Sequence, residues 1–155
     1  MATLENISLV AAIIVVALSI VFSFTAMLSG KKTKSPAGET GMWQTDRLGI
    51  VTAGLAFLLL TVSIVARVIQ TGHGPFSNMY EFSVAFSWGI VAMGLYFQWR
   101  FKAPAVKIVG LVVAFGLLIF ANTLSSKPAP LVPALQQNTL LSVHVACAII
   151  AYGAF

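Results

Sequence analysis

Few side chains in this sequence can do chemistry, and His144 is the one that most needs explaining. It stands in the stretch from Pro133 to Phe155, PALQQNTLLSVHVACAIIAYGAF. An imidazole among Leu, Val, Ala and Ile is costly to place in hydrocarbon, so it is a functional candidate by default. Three chemistries suit it: ligation of a metal through a neutral ring nitrogen, proton relay, or a hydrogen bond to a neighbouring helix. Cys147 follows at i+3, so His144, Cys147, Ala151 and Phe155 share approximately one helical face, with Tyr152 beside them. A His-x-x-Cys pair carries metal-donor atoms, although a cysteine inside an apolar helix is more often a small hydrophobe.

The other polar candidates have simpler readings. His73 lies between Gly72 and Gly74, which predicts a turn with a solvated imidazole more readily than a ligand. Glu81 sits at a predicted helix N-terminus, where the helix dipole favours a carboxylate, and it can equally pair with Arg67. Phe76, Tyr80, Phe82, Phe86 and Trp88 suit either a flat hydrophobic cofactor or an interfacial belt with helix packing. The single cysteine excludes an intrachain disulfide. The sequence has no carboxylate pair, phosphate-binding glycine loop, nucleophile elbow or CxxC, so nothing in it supports hydrolysis, phosphoryl transfer or thiol exchange.

These residues must be positioned by membrane helices. The 155-residue chain is 59% hydrophobic and 8% charged, with a mean hydropathy of +0.95, whereas a water-soluble domain carries about 25% charged residues. Its net charge of +5 resides in short runs between apolar spans. Those runs set topology, and no aromatic-interleaved basic patch for nucleic acid is present. The fold expected is an all-α, polytopic integral membrane protein, and residues 1–155 read as a single membrane-domain fragment. The predicted spans are 7–28, 48–68, 82–99, 108–124 and 140–155, of which the first four are complete. Arg67 lies close enough to the end of its span to snorkel. Trp88, Tyr96 and Trp99 are candidate interface anchors, and Ala85 with Gly89 forms a small-xxx-small pair for close helix contact.

The last span offers only about 24 Å of helix against the roughly 30 Å of a hydrocarbon core. It reads as the truncated start of a fifth helix, with the natural chain continuing past Phe155. Lys31, Lys32, Lys34, Arg47, Arg100, Lys102 and Lys107 fall in the first and third connections, whereas only Arg67 and Lys127 lie at or near the second and fourth. Basic connections stay in the cytoplasm. The expected arrangement therefore has the N-terminus outside and His73 and His144 on that same outer side.

Two stretches then bring in a family. GHGPFSNMYEFSVAFSWG, from Gly72 to Gly89, resembles the (S/T)GH-x-P-(L/F)-SN-(L/M)-YE-(S/F) segment and following Trp-containing helix of the CcsA/ResC family of system II cytochrome c biogenesis. PALQQNTLLSVHVACAIIAYGAF resembles that family's PALQS-x-WL-x-x-HV…YAAF segment, with Asn138-Thr139-Leu140 where a Trp-Leu pair is more usual. The resemblance implies haem transport or presentation at the outer membrane face and haem attachment to the CxxCH thiols of apocytochrome c. It implies haem b as cofactor, a CcsB/ResB-type membrane partner, membrane lipid around the helices, and a place in a holocytochrome c synthase (haem lyase) complex. His144 matches the first of two outer-face histidines used as axial haem-iron ligands. The implied location is a bacterial cytoplasmic membrane, or a thylakoid membrane in a plastid or cyanobacterium. The family's tryptophan-rich WGxxWxWD loop and second outer-face ligand belong downstream of Phe155.

Two alternatives come from other classes. One is an ion-coupled transporter with His144 as a proton-relay group, and the other a structural subunit of a respiratory membrane complex. Neither accounts for the GPFSNMYE and LLSVHV segments together.

Overall fold

The computed structural model describes residues 2–30, 46–72, 77–124 and 138–154. These form five helices: α1 (Ala2–Gly30), α2 (Arg47–Thr71), α3 (Met79–Phe101), α4 (Pro104–Thr123) and α5 (Asn138–Ala154). Helices α1 to α4 are each long and apolar enough to cross a membrane, a crossing that takes about 20 residues. The chain is therefore an all-α, polytopic integral membrane protein.

Local chemistry sets the helix ends. Gly72 closes α2 in the left-handed conformation at φ 70°, and its N–H returns to the Val68 carbonyl at 2.9 Å, the usual role of a glycine just past a helix. Helix α3 begins at Met79, three residues before the apolar run alone predicts, because the Asn78 side chain accepts from the Glu81 N–H at 2.9 Å. Lys102 turns the chain at φ 54°, and Pro104 opens α4 where its missing N–H costs nothing. The short connection leaves α3 and α4 as antiparallel neighbours.

Helices α1 and α2 pack against each other, as do α3 and α4, and α1–α4 and α2–α3 contacts close a four-helix bundle. Small residues allow close approach. Ala12, Ala53, Ala56, Ala114 and Ala121 are fully buried with Leu60 and Leu118 between them, as expected where association rests on packing and lipid supplies no hydrophobic drive. The polarity is reversed relative to a soluble bundle. On α2, Leu48, Val51, Leu55, Leu58, Val62 and Val65 form an exposed apolar stripe at helical spacing, while Ser63 and Arg67 are buried. Helix α5 lies outside the bundle against α3.

Candidate functional site

His144 is the seventh residue of α5. Val145 and Ile149 are buried against Ala85, with Phe82 and Phe86 packed around them. The Tyr152 ring lies 6.4 Å from that of Phe86. Gly89 makes the approach possible, since a Cβ there would collide with the Ile149 side chain. The small-xxx-small pair at Ala85 and Gly89 is thus the seat of α5. At 100° per residue, His144, Cys147 and Ala151 point away from that seat, and all three are exposed. Cys147 departs from the buried-hydrophobe expectation because, among the described residues, α5 meets α3 through its Val145, Ile149 and Tyr152 side and Cys147 lies away from it.

The His144 imidazole has no hydrogen-bond partner among the described residues, so its ring nitrogens are unengaged by them. Also among the described residues, no three His, Cys, Asp or Glu side chains come together as a metal site. On its exposed face α5 presents one nitrogen donor, His144, with Cys147 and the small apolar Ala151 on the same side. That donor set fits one axial position of a plate-like cofactor such as haem, which needs a nitrogen ligand and an apolar wall. His73 and Phe76, named as candidates from sequence, lie outside the described residues, as do Lys31, Lys32, Lys34, Trp43, Lys127 and Phe155.

An apolar cavity of about 290 Å³ lies on the opposite side of α5, lined by Thr61, Ile64, Trp88, Ala146, Ile149 and Ile150 among others. Trp88 faces this interior and is not an interface anchor. Its indole N–H donates to the Thr61 hydroxyl at 2.9 Å and its ring stacks on Phe57 at 5.2 Å. The tenth residue of α3 is too deep to reach an interface, and the Thr61 oxygen supplies the partner that a buried indole needs. Tyr96 and Trp99, near the other end of α3, are exposed.

The most concentrated polar chemistry was not anticipated as a cluster. Arg67 is buried and does not snorkel. Its Nε donates to Glu81 Oε1 at 2.9 Å, and its Nη1 approaches both Glu5 oxygens at 3.4 Å. The open alternative for Glu81, pairing with Arg67, is the one realised. Glu5 also accepts from the Tyr80 hydroxyl at 2.9 Å and the Gln70 amide at 3.3 Å. Glu81 Oε2 accepts from the Ser77 N–H at 2.8 Å and the Ser77 hydroxyl at 2.7 Å. Burial explains the difference from a snorkelling arginine: two carboxylates inside the bundle offer Arg67 what water would otherwise supply. A cavity of about 10 Å³ lined by Glu5, Arg67, Tyr80 and Glu81 lies within the cluster, room for a single water.

A second ionic contact closes the other end. Lys107, counted from sequence among the loop charges, is buried in the first turn of α4 and donates to Asp46, which is also buried. Asp46 occupies the N-cap of α2 but makes no side-chain capping bond. Its carboxylate is turned instead to the ammonium. A sequence signal existed for both clusters, since a charged residue within an apolar span needs a partner inside the protein, but no spacing rule pairs Glu5 with Arg67 or Asp46 with Lys107.

Curated relatives of this chain carry the name Cytochrome c biogenesis protein CcsA. The chain is 35% identical over 112 residues to the Cytochrome c biogenesis protein CcsA of Picosynechococcus, covering 69% of this chain and 32% of that protein. Identity to the CcsA of Trieres chinensis is 36% over 112 residues, covering 70% and 36% of the two chains. For the CcsA of Thermosynechococcus vestitus it is 36% over 122 residues, covering 76% and 34%. The chain spans about a third of the length of these relatives. No family model matches it, and no solved structure does. With the GHGPFSNMYE segment ahead of and entering α3 and the HV…AYGA residues in α5, this chain belongs to the CcsA family of cytochrome c biogenesis proteins and matches the family in its N-terminal part.

Proposed function

We propose that this chain works in cytochrome c maturation as the N-terminal part of a protein that carries or presents haem at the outer membrane face, with His144 as an axial iron ligand. The observation that carries the reading is the exposed His144 imidazole, which no described residue engages, on the α5 face turned away from α3, in the segment that matches the family. Haem b, when bound, supplies the vinyl groups that accept cysteine thiols and a redox-active iron. The residues of this chain hold and orient. His144 offers its nitrogen, Ala151 and Cys147 share its exposed face, and the α3 seat fixes the helix that carries them. The bond-forming thiols belong to the CxxCH segment of apocytochrome c, and a CcsB/ResB-type partner completes a holocytochrome c synthase. The charge distribution among the connections supports placing α5's start on the outer side of a bacterial cytoplasmic or thylakoid membrane.

A proton relay through His144 is less well supported, since a relay needs a titratable neighbour within hydrogen-bond reach and none of the described residues provides one. The test is spectroscopic. Protein purified from membranes should carry haem with a low-spin spectrum, and His144→Gly should lose it unless imidazole is added. Unchanged haem content and cytochrome c maturation in that variant would end the ligand assignment.

A further inference from the structure

Glu81 has more partners than a helix N-terminus requires. The Asn78 side chain already caps the Glu81 N–H, and a carboxylate serving only the dipole works from an exposed position. Glu81 is instead buried and holds three donors, Arg67 Nε, the Ser77 N–H and the Ser77 hydroxyl. Through Arg67 it reaches Glu5, so α1, α2 and the first turn of α3 meet at one ionic joint.

The seat of α5 begins at once beyond that joint. Phe82 is the next residue, Ala85 lies one turn on and Gly89 two turns on, and these are the positions that Val145 and Ile149 occupy from α5. Among the described residues α5 packs on α3, and the apolar cavity lined by Ile64, Ala146 and Ile150 separates it from α2. The placement of α5 is therefore inherited from that of the N-terminal half of α3.

We propose that Glu81 is a positioning residue for His144: by tying the start of α3 to Arg67 of α2 and Glu5 of α1, it sets the rotation and depth of the surface on which α5 is seated. The inference stands on packing alone, and only its bearing on haem rests on the function proposed above. A neutral glutamine at this position keeps the side-chain shape and leaves Arg67 facing Glu5, so the bundle is retained while the grip on Ser77 and Arg67 loosens.

Cys147 gives direct access to the geometry, being exposed and one turn from His144. It is spin-labelled in lipid nanodiscs together with a second label at Ile69→Cys, on the exposed face of α2, and the distance distribution is read by pulsed electron resonance. Glu81→Gln is expected to shift or broaden that distribution by more than its width in the otherwise unaltered chain. An unchanged distribution overturns the proposal. If Glu81→Gln does not accumulate, Ser77→Ala removes one donor without changing charge and is expected to move the distribution in the same direction, with no movement again overturning it. Haem content is measured on the same samples. A shifted distance with full haem content counts against the haem reading and leaves the positioning role standing, whereas an unshifted distance removes that role whatever the haem does.

Discussion

Replacing Arg67 by methionine should be among the most damaging single changes in this chain. The Arg67 side chain is 4% exposed, and its carboxylate partners Glu5 and Glu81 are 3% and 0% exposed. Methionine fills much of the same volume, so packing loss is small and electrostatics decide the outcome. The change strands two buried carboxylates, and removing one partner of a buried ion pair costs about 3–5 kcal/mol. Glu81→Gln leaves Arg67 opposite Glu5 and only weakens charge-assisted hydrogen bonds, a loss of about 1–2 kcal/mol. The gap of roughly 2 kcal/mol corresponds to more than a tenfold difference in the unfolding equilibrium. A third variant, Glu5→Gln/Arg67→Met/Glu81→Gln, removes every charge and should recover much of the loss, because an unpaired buried charge is worse than none. Denaturant titration in mixed micelles, followed by far-ultraviolet circular dichroism, orders the three variants. If Arg67→Met is no less stable than Glu81→Gln, or the triple variant is the worst of the three, the cluster is not the buried ionic joint described here.

Two further outcomes follow from the same physics. Lys107→Met should destabilise by about 3–5 kcal/mol by stranding Asp46, and Asp46→Leu/Lys107→Met should restore much of that in the same titration. Gly89→Val places a side chain where Ile149 sits, so α5 should lift from α3; overpacking of this kind costs about 1–3 kcal/mol. The pairing is checked by cysteine cross-linking between α3 and α5, with Ile149→Ala expected to relieve the clash.

Much of the architecture was legible in the sequence because the membrane imposes a simple code. Uncharged apolar runs had to be helices, since a backbone in hydrocarbon can satisfy its hydrogen bonds only within itself. The Ala85/Gly89 pair was readable for the same reason, small residues being what lets helices approach in lipid. The interior of the bundle was harder to read. Hydropathy treats all faces of a spanning helix alike, so although Arg67 within an apolar span called for a partner inside the protein, the pattern along α2 did not say which helices would supply it. Trp88 was misplaced for a related reason: tryptophan is common at membrane interfaces, and only the Thr61 hydroxyl on the neighbouring helix allows the indole to lie deep.

The sequence by itself determined that this is a membrane protein of apolar helices, and through its GHGPFSNMYE and LLSVHV segments it pointed to the family. Residue type and local spacing carry both, because solvation by lipid and motif identity are properties of contiguous chain. Only the tertiary structure decided that Glu5, Arg67 and Glu81 meet, that Asp46 turns from its cap to Lys107, and that α5 rests on α3 with His144 facing away. Such contacts join residues up to 75 positions apart, as in Tyr80 and Glu5. They depend on which helix faces meet, and a one-dimensional pattern of apolar residues does not encode that.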